Sequence, residues 1–558
     1  MERTLGILLV LLMGAGHAAR AQTVVPPAST DPGRVRDRIE APSSPPGAVR
    51  LPEIKGAGQE PVPAAIRDLR LTLSAVRVEG STVYSAEQLR ALTSSYVGRE
   101  ISGTEIYALA QALTTRYRND GYFLSVVIVP PQSVAGGALS LRAIEGHVAS
   151  VRVEGDPRLR ERLQEIGAKI QATRPLSAEV LERYLLIAND FPGLRLRSVL
   201  SPSQTVGAAD LTLIASVRDV EGFYSYDNYG SRYLGPGQST AGLTVNQRLG
   251  INDQWRIIGA GTGNSEMGYV QLSYAQTLTV EGLQLTASAS QARTRPGDTL
   301  RAFDVRGYSD AWTLGFVYPW LRKRNQSVSA RLAYDHADIR SDILGARVSE
   351  DHIRALRVGL GWRVLDALGG QNTLDLDYSK GLGGTQEDDP LKSRVGADGQ
   401  FSKVTVAYTR QQPLGGRWSL GLGLAGQWTP ERPLLSSEQF ALGGRRYGRA
   451  YDAAELVGDR GWALRIEPRH HGASDGYWLR AWQLFGFYDV GEVGRFGTQS
   501  AGTSWHQSLA SAGLGTRLHL VGSATVQLEA AWPMTRTPAS QSGEGKSARL
   551  LGSLLISF

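Results

Sequence analysis

Apolar and polar residues alternate with a period of two from about Glu221 to Phe558, and this pattern restricts the fold more than any other feature of the chain. Successive side chains of a β-strand point to opposite faces, so each alternating run predicts a strand with one apolar and one polar face. Clear runs are Leu283 to Ser290, Val328 to Tyr334, Thr373 to Ser379, Val526 to Trp532 and Leu550 to Phe558. The polar faces carry charged residues, among them Arg331, Asp375, Asp377 and Glu529.

Two arrangements of such strands compete. A soluble β-sandwich would bury the apolar face, whereas an outer-membrane barrel turns it to lipid and keeps the charges in a wet lumen. Alternating runs that continue over some 340 residues are too many for one ordinary sandwich. Aromatic residues near the predicted strand ends fit interfacial belts, namely Tyr318, Trp320, Trp428, Trp462, Trp478, Trp482 and Trp532. We therefore expect a transmembrane antiparallel β-barrel over residues 220–558.

The N-terminus has the layout of a secretory signal peptide. Arg3 precedes an apolar run from Leu5 to Met13, and Ala19-Arg20-Ala21 provides small residues for cleavage. We expect a signal peptide over residues 1–21, and therefore a mature protein that reaches the periplasm of a Gram-negative cell.

Residues 22–70 form a proline-rich stretch, and this composition is typical of an extended linker. Within it, Thr30-Asp31-Pro32 places a capping residue before a proline at a first helical position. A short charged helix over about residues 31–41 and a solvated linker turn are both compatible with this pattern.

An internal repeat follows the linker. Val76-Arg77-Val78-Glu79-Gly80 recurs as Val151-Arg152-Val153-Glu154-Gly155, a spacing of 75 residues (151 minus 76). The spacing predicts two small α/β modules over residues 71–148 and 149–219. Their predicted elements are a strand at Leu73 to Val78, helices at Ala86 to Thr93 and Thr104 to Arg118, strands at Leu124 to Val129 and Ala138 to Ile144, helices at Pro157 to Gly167 and Ser177 to Ala188, and strands at Leu194 to Leu200 and Ala209 to Val217.

Composition and motifs argue against catalysis, cofactors, metals and nucleic acid. The chain has no cysteine, and its net charge of +7 is spread over 60 basic and 53 acidic residues without a basic patch interleaved with aromatics. Gly421 to Gly426 matches a dinucleotide fingerprint, but it lies in an alternating run rather than between a strand and a helix. His470 and His471 would point to opposite faces of a strand and could not share a metal ion.

Three motifs resemble those of a known family. They are Asp227-Asn228-Tyr229-Gly230-Ser231 at the start of the barrel, Leu442-Gly443-Gly444 followed by Gly448-Arg449-Ala450-Tyr451, and Phe487-Tyr488-Asp489-Val490-Gly491. Together with the paired modules, they resemble the two-partner secretion transporters called TpsB, the haemolysin and haemagglutinin exporters of the superfamily that carries POTRA domains. The resemblance implies a mainly β fold, in which a transmembrane antiparallel barrel of 16 strands is preceded by two small α/β POTRA domains.

In that family an extracellular loop folds into the barrel, and its arginine pairs with the aspartate of a barrel strand. The resemblance assigns the loop motif to Gly443, Gly444, Arg449 and Tyr451. It assigns the strand motif to Phe487, Asp489 and Gly491, which share one face by alternation. It also implies that the terminal Phe558 is a signal for barrel assembly.

The loop motif departs from the family pattern. Gly448 and Ala450 replace its valine and glycine, while an intact Val305-Arg306-Gly307-Tyr308 occurs earlier in the chain. The earlier copy lacks a preceding Leu-Gly-Gly and is followed by some 250 residues, too many for the closing strands. Arg449 is therefore the expected loop arginine, with Arg446 as a competitor.

The resemblance implies that an unfolded exoprotein with an N-terminal secretion domain docks on the POTRA domains in the periplasm and crosses the outer membrane through the barrel. The implied partners are that exoprotein, outer-membrane lipid and the barrel-assembly machinery. The edge strands at Leu124 to Val129 and Leu194 to Leu200 are candidate docking sites. Two alternatives stay open: a barrel-assembly factor of the same superfamily, and a passive porin, which would not need the periplasmic modules.

Overall fold

The computed structural model describes residues 26–39, 62–67, 69–248, 252–430, 432–496, 506–541 and 545–558. The expected signal peptide, residues 1–21, and most of the linker lie outside these ranges. None of the helices in the described ranges is both long and apolar enough to cross a membrane.

The first α/β unit is a three-stranded sheet covered by two helices. Its elements are β1 (Arg70–Thr72), β2 (Ala75–Glu79), α1 (Ala86–Thr93), β3 (Glu100–Ser102), α2 (Gly103–Asn119), β4 (Val126–Ile128) and β5 (Ala138–Ile144). The sheet has the order β2-β5-β4, and β1 pairs separately with β3. Ser85 and Ser102 each begin a helix with a reciprocal capping box. The apolar face of α2, which includes Leu109 and Tyr117, is buried against the sheet.

The second unit repeats this design. Its elements are β6 (His147–Gly155), α3 (Arg160–Gln171), α4 (Ala178–Asn189), β7 (Leu194–Pro202) and β8 (Ala208–Val217). The two copies of the repeated pentapeptide lie in β2 and β6, and each of these strands runs parallel to the last strand of its own unit. The predicted helices and most strands are confirmed. The prediction of one strand from Leu73 to Val78 was wrong, because Leu73 and Ser74 separate β1 from β2, and β4 is shorter than predicted.

Sixteen antiparallel strands close into a barrel, as predicted. They are β9 (Val220–Asp227), β10 (Gln238–Asn246), β11 (Asp253–Thr262), β12 (Met267–Thr277), β13 (Gln284–Thr294), β14 (Arg306–Arg322), β15 (Gln326–Ile343), β16 (Ala346–Leu365), β17 (Gln371–Gly384), β18 (Ser402–Gly415) and β19 (Trp418–Trp428). After the short pair β20 (Phe440–Leu442) and β21 (Leu456–Gly458), which is not part of the wall, follow β22 (Arg460–Ala473), β23 (Leu479–Gly494), β24 (His506–Leu520), β25 (Ala524–Pro533) and β26 (Arg549–Ser557).

The two faces of the wall have opposite character. Along β14 the exposed positions Trp312, Leu314, Phe316, Tyr318 and Trp320 alternate with positions that face the lumen. An exposed apolar band with aromatic residues at both edges is the surface that lipid requires. We call the barrel end next to the α/β units the proximal end and the opposite end the distal end.

The second α/β unit is docked on the proximal turns of the barrel. Tyr184 donates a hydrogen bond to Glu281 (2.8 Å), and Arg322 makes two bonds of 2.7 Å to Asp190. Arg183 donates to the main-chain oxygen of Trp320 at 3.3 Å. These contacts join α4 to two separate turns, so they fix the direction in which the unit extends from the barrel.

The N-terminal segment 26–39 lies inside the barrel lumen. It forms three short 3-10 helices, Ala28–Thr30, Pro32–Arg34 and Arg36–Arg38. Asp31 caps the second of these by accepting a bond from the Gly33 amide, as its position before Pro32 predicts. The short helix predicted over residues 31–41 is thus a run of 3-10 turns that ends at Arg38, and residues 40 and 41 lie outside the described ranges.

The barrel closes by pairing β26 with β9, and this seam is short. Only five residue pairs join the two strands, whereas β15 and β16 share eighteen. At the proximal end, Phe558 and Gly222 exchange two main-chain bonds of 2.9 Å. At the distal end, the Asn228 side chain accepts from the Gly552 amide (2.7 Å) and donates to the Leu550 oxygen (3.1 Å), so it continues the ladder where the strand has ended.

We predict that Asn228→Ala weakens the seam. It removes two hydrogen bonds, each with a net contribution of about 0.5–1.5 kcal/mol. The temperature at which the folded, fast-migrating form is lost on unheated gels should fall relative to wild type. Ser239→Ala is the matched control, because it removes one side-chain bond to Tyr224 between β9 and β10 and leaves the seam intact. Equal melting temperatures for Asn228→Ala and Ser239→Ala would contradict the prediction.

Candidate functional site

The described residues between β19 and β22, 429–430 and 432–459, fold into the lumen, and we call them the inward loop. Its sharp bends depend on glycines with positive φ at Gly443, Gly444 and Gly448. The Gly443 amide donates to the Tyr447 oxygen (2.8 Å) and the Gly444 amide to the Tyr451 oxygen (3.0 Å). A Cβ at Gly443 would lie 2.1 Å from the main-chain oxygen of Asp452, so a larger residue would displace the loop.

Arg449, at the tip of the inward loop, is almost completely buried among three carboxylates of the barrel wall. It contacts Asp489 on β23 (3.2 Å), Glu467 on β22 (2.9 Å) and Glu529 on β25 (3.2 Å). The amides of Gly448 and Arg449 also donate to Asp489. Burial by itself would lower the pKa of Arg449, but Asp489 and Glu529 outweigh burial, and the pKa is raised above its ordinary value.

Three further arginines complete the cluster on the wall side. Arg465 contacts Asp489 at 3.2 Å, and Arg469 and Arg517 contact Glu467 at 2.8 and 2.9 Å. The cluster therefore holds four guanidinium groups against three carboxylates. Removing a central member of this cluster would leave a partner without its counter-charge. Such a change is costly, because an unpaired charge is unfavourable away from water.

The aromatic residues of the two motifs pack around the same cluster. The guanidinium of Arg449 lies 3.5 Å from the ring centroid of Phe487, a short cation–π contact. Tyr451 is fully buried, and its hydroxyl donates to the main-chain oxygen of Ala510 at 3.1 Å. Gly491 leaves room for Leu442, whose methyl carbons would come within about 3 Å of an added Cβ.

A second ion cluster attaches the beginning of the inward loop to another part of the wall. Glu438 is buried and contacts Arg357 on β16 and Lys403 on β18, each at 2.8 Å. Lys403 and Gln427 also donate to the main-chain oxygen of Glu438. The inward loop therefore spans the lumen between two charged attachments, one on β16 and β18 and one on β22 to β25.

The N-terminal segment docks on the inward loop beside Glu438. The buried guanidinium of Arg34 donates to the main-chain oxygens of Ser436 and Gln439, the residues that flank the Ser437-Glu438 pair. Val35 is fully buried among residues of the wall and the first distal loop, including Leu234 and Tyr269. The segment thus blocks part of the lumen, and a cavity of 690 Å³ remains beside it.

The structure brings together the residues assigned from the family motifs and separates the competing ones. Arg449 and Asp489 are in contact, whereas Arg306 lies at the exposed end of β14 and pairs with its neighbour Asp304 at 2.7 Å. Arg446 lines the lumenal cavity. Phe558 ends the barrel at the proximal rim with a largely exposed side chain.

Sequence reasoning missed Glu467 and Glu438 as partners of the inward loop. The alternation in Arg465-Ile466-Glu467-Pro468-Arg469 places three charges on one face of β22, and this signal could have identified Glu467 as lumenal. Glu438 gave no comparable signal, because it lies in a loop. The described residues contain no group of histidine and carboxylate side chains arranged to hold a metal ion.

Comparisons with family models agree with this architecture. A model described as haemolysin secretion/activation protein ShlB/FhaC/HecB matches residues 214–518, more than half of the 558-residue chain. A model of the POTRA domain, ShlB-type, matches residues 71–146.

Curated relatives and solved structures match over most of the chain. Outer membrane transporter CdiB of Escherichia coli O6:K15:H31 (strain 536 / UPEC) is 26% identical over 536 residues, 90% of this chain and 84% of the relative. Heme/hemopexin transporter protein HuxB of Haemophilus influenzae (strain 86-028NP) is 22% identical over 483 residues, 84% of each chain.

The solved structure of CdiB from Escherichia coli has a TM-score of 0.69 at 21% identity and covers 92% of this chain and 94% of that one. CdiB from Acinetobacter baumannii gives a TM-score of 0.63 at 17% identity, with 91% and 95% covered. These structures support the fold of a barrel with N-terminal α/β domains.

We predict that Arg34→Ala releases the N-terminal segment from the lumen. The change removes two bonds from a buried, charged donor, which contribute about 1.5–3 kcal/mol each. The purified protein in a planar lipid bilayer should therefore spend more time in high-conductance states than wild type. Arg36→Ala is the matched control, since Arg36 lies on the same segment with an exposed side chain. If the two variants conduct alike, Arg34 does not hold the segment in place.

Proposed function

The chain belongs to the haemolysin secretion/activation protein family (ShlB/FhaC/HecB), and from this premise we propose that it exports one partner protein across the outer membrane through its barrel. The observation that carries the proposal is a 16-stranded barrel whose lumen holds the N-terminal segment and a charged inward loop. A ShlB-type POTRA match in the first α/β unit favours export over a general assembly role.

The direction of transport follows from the position of the α/β units. We place these units, residues 71–148 and 149–219, in the periplasm, so the proximal end faces the periplasm and the distal end the outside. The ion pairs of Asp190 with Arg322 and of Arg183 with Glu281 join the second α/β unit to two barrel turns and support a fixed receiving platform at the lumen entrance. An exoprotein with an N-terminal secretion domain would reach the platform before the barrel.

The edge strand β7 offers the better of the two predicted docking sites. Both β4 and β7 lie at sheet edges, but β4 has three residues and β7 has nine. An extended client segment can add to such an edge through main-chain hydrogen bonds. Arg195 and Arg197 are exposed on β7, and they would favour a client segment with acidic residues.

The lumen has to change before a polypeptide passes. The segment 26–39 and the inward loop both occupy it, and each is held by a few localised contacts rather than by the strand ladder. Moving them leaves the main-chain bonds of the wall intact, so the barrel can stay closed to lipid while the lumen opens. No nucleotide is required in this scheme, because folding of the client outside supplies the direction.

The barrel itself has two proposed partners, outer-membrane lipid and the barrel-assembly machinery. Lipid covers the apolar band, and the barrel-assembly machinery receives the last strand, with the exposed Phe558 as its recognition residue. We propose no catalytic activity for the chain.

We predict that deleting residues 76–217 abolishes secretion and leaves the barrel in the outer membrane. The client tested is a large secreted protein with an N-terminal secretion domain encoded beside this chain. Loss of the client from the culture medium, together with retained heat-dependent gel mobility of the barrel, is the expected result. Normal export by the deletion variant would refute the docking role. An outer membrane without the barrel would show instead that the α/β units serve its own assembly.

We also predict that Arg449 and Asp489 act as a coupled pair in export. Arg449→Gln should reduce secretion strongly, because breaking a buried pair costs about 3–5 kcal/mol through the charge left behind. Asp489→Asn in the same chain should not add its full defect, because the contact that the two residues share is already lost in Arg449→Gln. A charge exchange should not rescue, since an aspartate at position 449 would face Glu467 and Glu529. Arg306→Gln, on the outer surface, is the control, and additive defects in the double variant would dismiss the coupling.

A further inference from the structure

The outward face of β13 to β17 becomes charged at the distal end, above the apolar band. Strands β14, β15 and β16 have 17, 18 and 20 residues. About 9–11 tilted residues suffice to cross the hydrocarbon of a bilayer, so the distal parts of these strands extend past it. Trp312, which is 44% exposed, marks the distal edge of the apolar band.

The outward side chains on the distal side of Leu314 lie in rows, because each is directly opposite a residue of the neighbouring strand. Trp312, His336 and Arg354 form the first row, on β14, β15 and β16. The next rows are Gln291, Asp310, Asp338 and His352, and then Arg293, Tyr308, Arg340 and Glu350. Lys380 on β17 lies opposite Leu356, one row below Arg354.

Four cations in these rows, Arg293, Arg340, Arg354 and Lys380, are exposed and have no carboxylate within 4 Å among the described residues. Arg340 lies over the ring of Tyr308, with 4.7 Å to its centroid, and Lys380 donates to the Ser402 hydroxyl at 3.1 Å. These contacts hold Arg340 and Lys380 on the outward face and leave their charges uncompensated.

The carboxylates nearby are already engaged by other groups. Asp310 accepts from the Gln291 amide at 2.6 Å. Asp338 contacts His336 at 3.2 Å and His352 at 2.6 Å. Glu350 pairs with Arg347 at 2.7 Å. Gln291 is neutral and the two histidines carry a charge only when protonated, so Asp310 and Asp338 keep their negative charges. The four cations outnumber these two carboxylates, and the excess charge of this surface is therefore positive.

A cleft of 500 Å³ on the same outward face joins the charged rows to the apolar band. Its walls combine Val270, Leu272 and Trp312 with the polar side chains of Asp310 and His336. The opposite side of the barrel differs. On β23 to β26 the described outward residues at the distal end include Glu492, which pairs with His506 at 2.7 Å, and the exposed Trp532 and Leu550. Lys546 lies nearby in the β25–β26 connection and donates to the main-chain oxygens of Met534 and Thr535.

We propose that this face binds the phosphate groups of the glycolipid that forms the outer leaflet of the outer membrane. The cations lie directly above lipid-facing residues, so one lipid molecule can place acyl chains on Leu314, Leu332 and Leu356 and its phosphates on the arginines. Hydrogen bonds from guanidinium to phosphate are charge-assisted and directional. A soluble polyanion would gain nothing from the apolar band, which is why the arrangement selects an anionic lipid.

The test uses the full chain purified in detergent, with lipid retention measured by native mass spectrometry. The variant is R293Q/R340Q/R354Q. The matched control is R77Q/R90Q/R118Q, three exposed arginines of the first α/β unit with the same change in charge. Bis-phosphorylated lipid A is the probe, and dephosphorylated lipid A and phosphatidylglycerol are the comparison lipids. Heat-dependent gel mobility verifies that each barrel is folded.

Wild type and the control should retain bis-phosphorylated lipid A at least about tenfold more than the triple variant does. Wild type should also prefer it over both comparison lipids. A second variant, R293K/R340K/R354K, keeps the charges and should retain more lipid A than the glutamine variant. Equal retention by wild type and the glutamine variant, an equal loss in the control, or equal binding of all three lipids by wild type would overturn the proposal.

Discussion

Lipid offers no hydrogen-bond partner to a peptide group, and this constraint organises the whole molecule. Every strand of the wall must find two neighbours, so the sheet closes, and the last strand has to pair with the first. The closure fixes a lumen with a polar inner face and an apolar outer face, because the pleat sends alternate side chains to opposite sides. The α/β units, the N-terminal segment and the inward loop are all attached to this closed wall at its proximal end or inside it.

Within the lumen, ion pairs take the place that apolar packing has in a soluble core. Arg449 joins three carboxylates from three strands, and Glu438 joins Arg357 and Lys403 from two others. Most side chains of these two clusters are buried, so their charges are weakly screened and the loop is held firmly by a small number of side chains. Unlike the main-chain hydrogen bonds between strands, these ion pairs can be broken locally without opening the wall, and transport requires such a change.

The two attachments and the N-terminal segment form one connected system. Arg34 of the segment is held by main-chain oxygens on both sides of Ser437 and Glu438, so the position of the segment depends on the attachment of the loop to β16 and β18. The same loop is fixed by Arg449 on β22 to β25. A client that displaces the segment would act on the loop as well, and the loop would transmit the change across the lumen. Export through a plugged barrel thus follows from contacts that are strong, few and not part of the ladder.

The sequence by itself determined the barrel, the two α/β units and the face of each strand, because hydrophobic period and repeat spacing are local properties that survive any tertiary arrangement. It also assigned Arg449 and Asp489 through motif context and strand alternation. It could not decide that Glu467 and Glu529 share Arg449, that Glu438 attaches the loop to β16 and β18, or that the segment around Arg34 lies inside the lumen. Those contacts join residues that lie far apart in the chain or in irregular loops, where no periodic pattern exists. Only barrel closure brings these side chains into a common space.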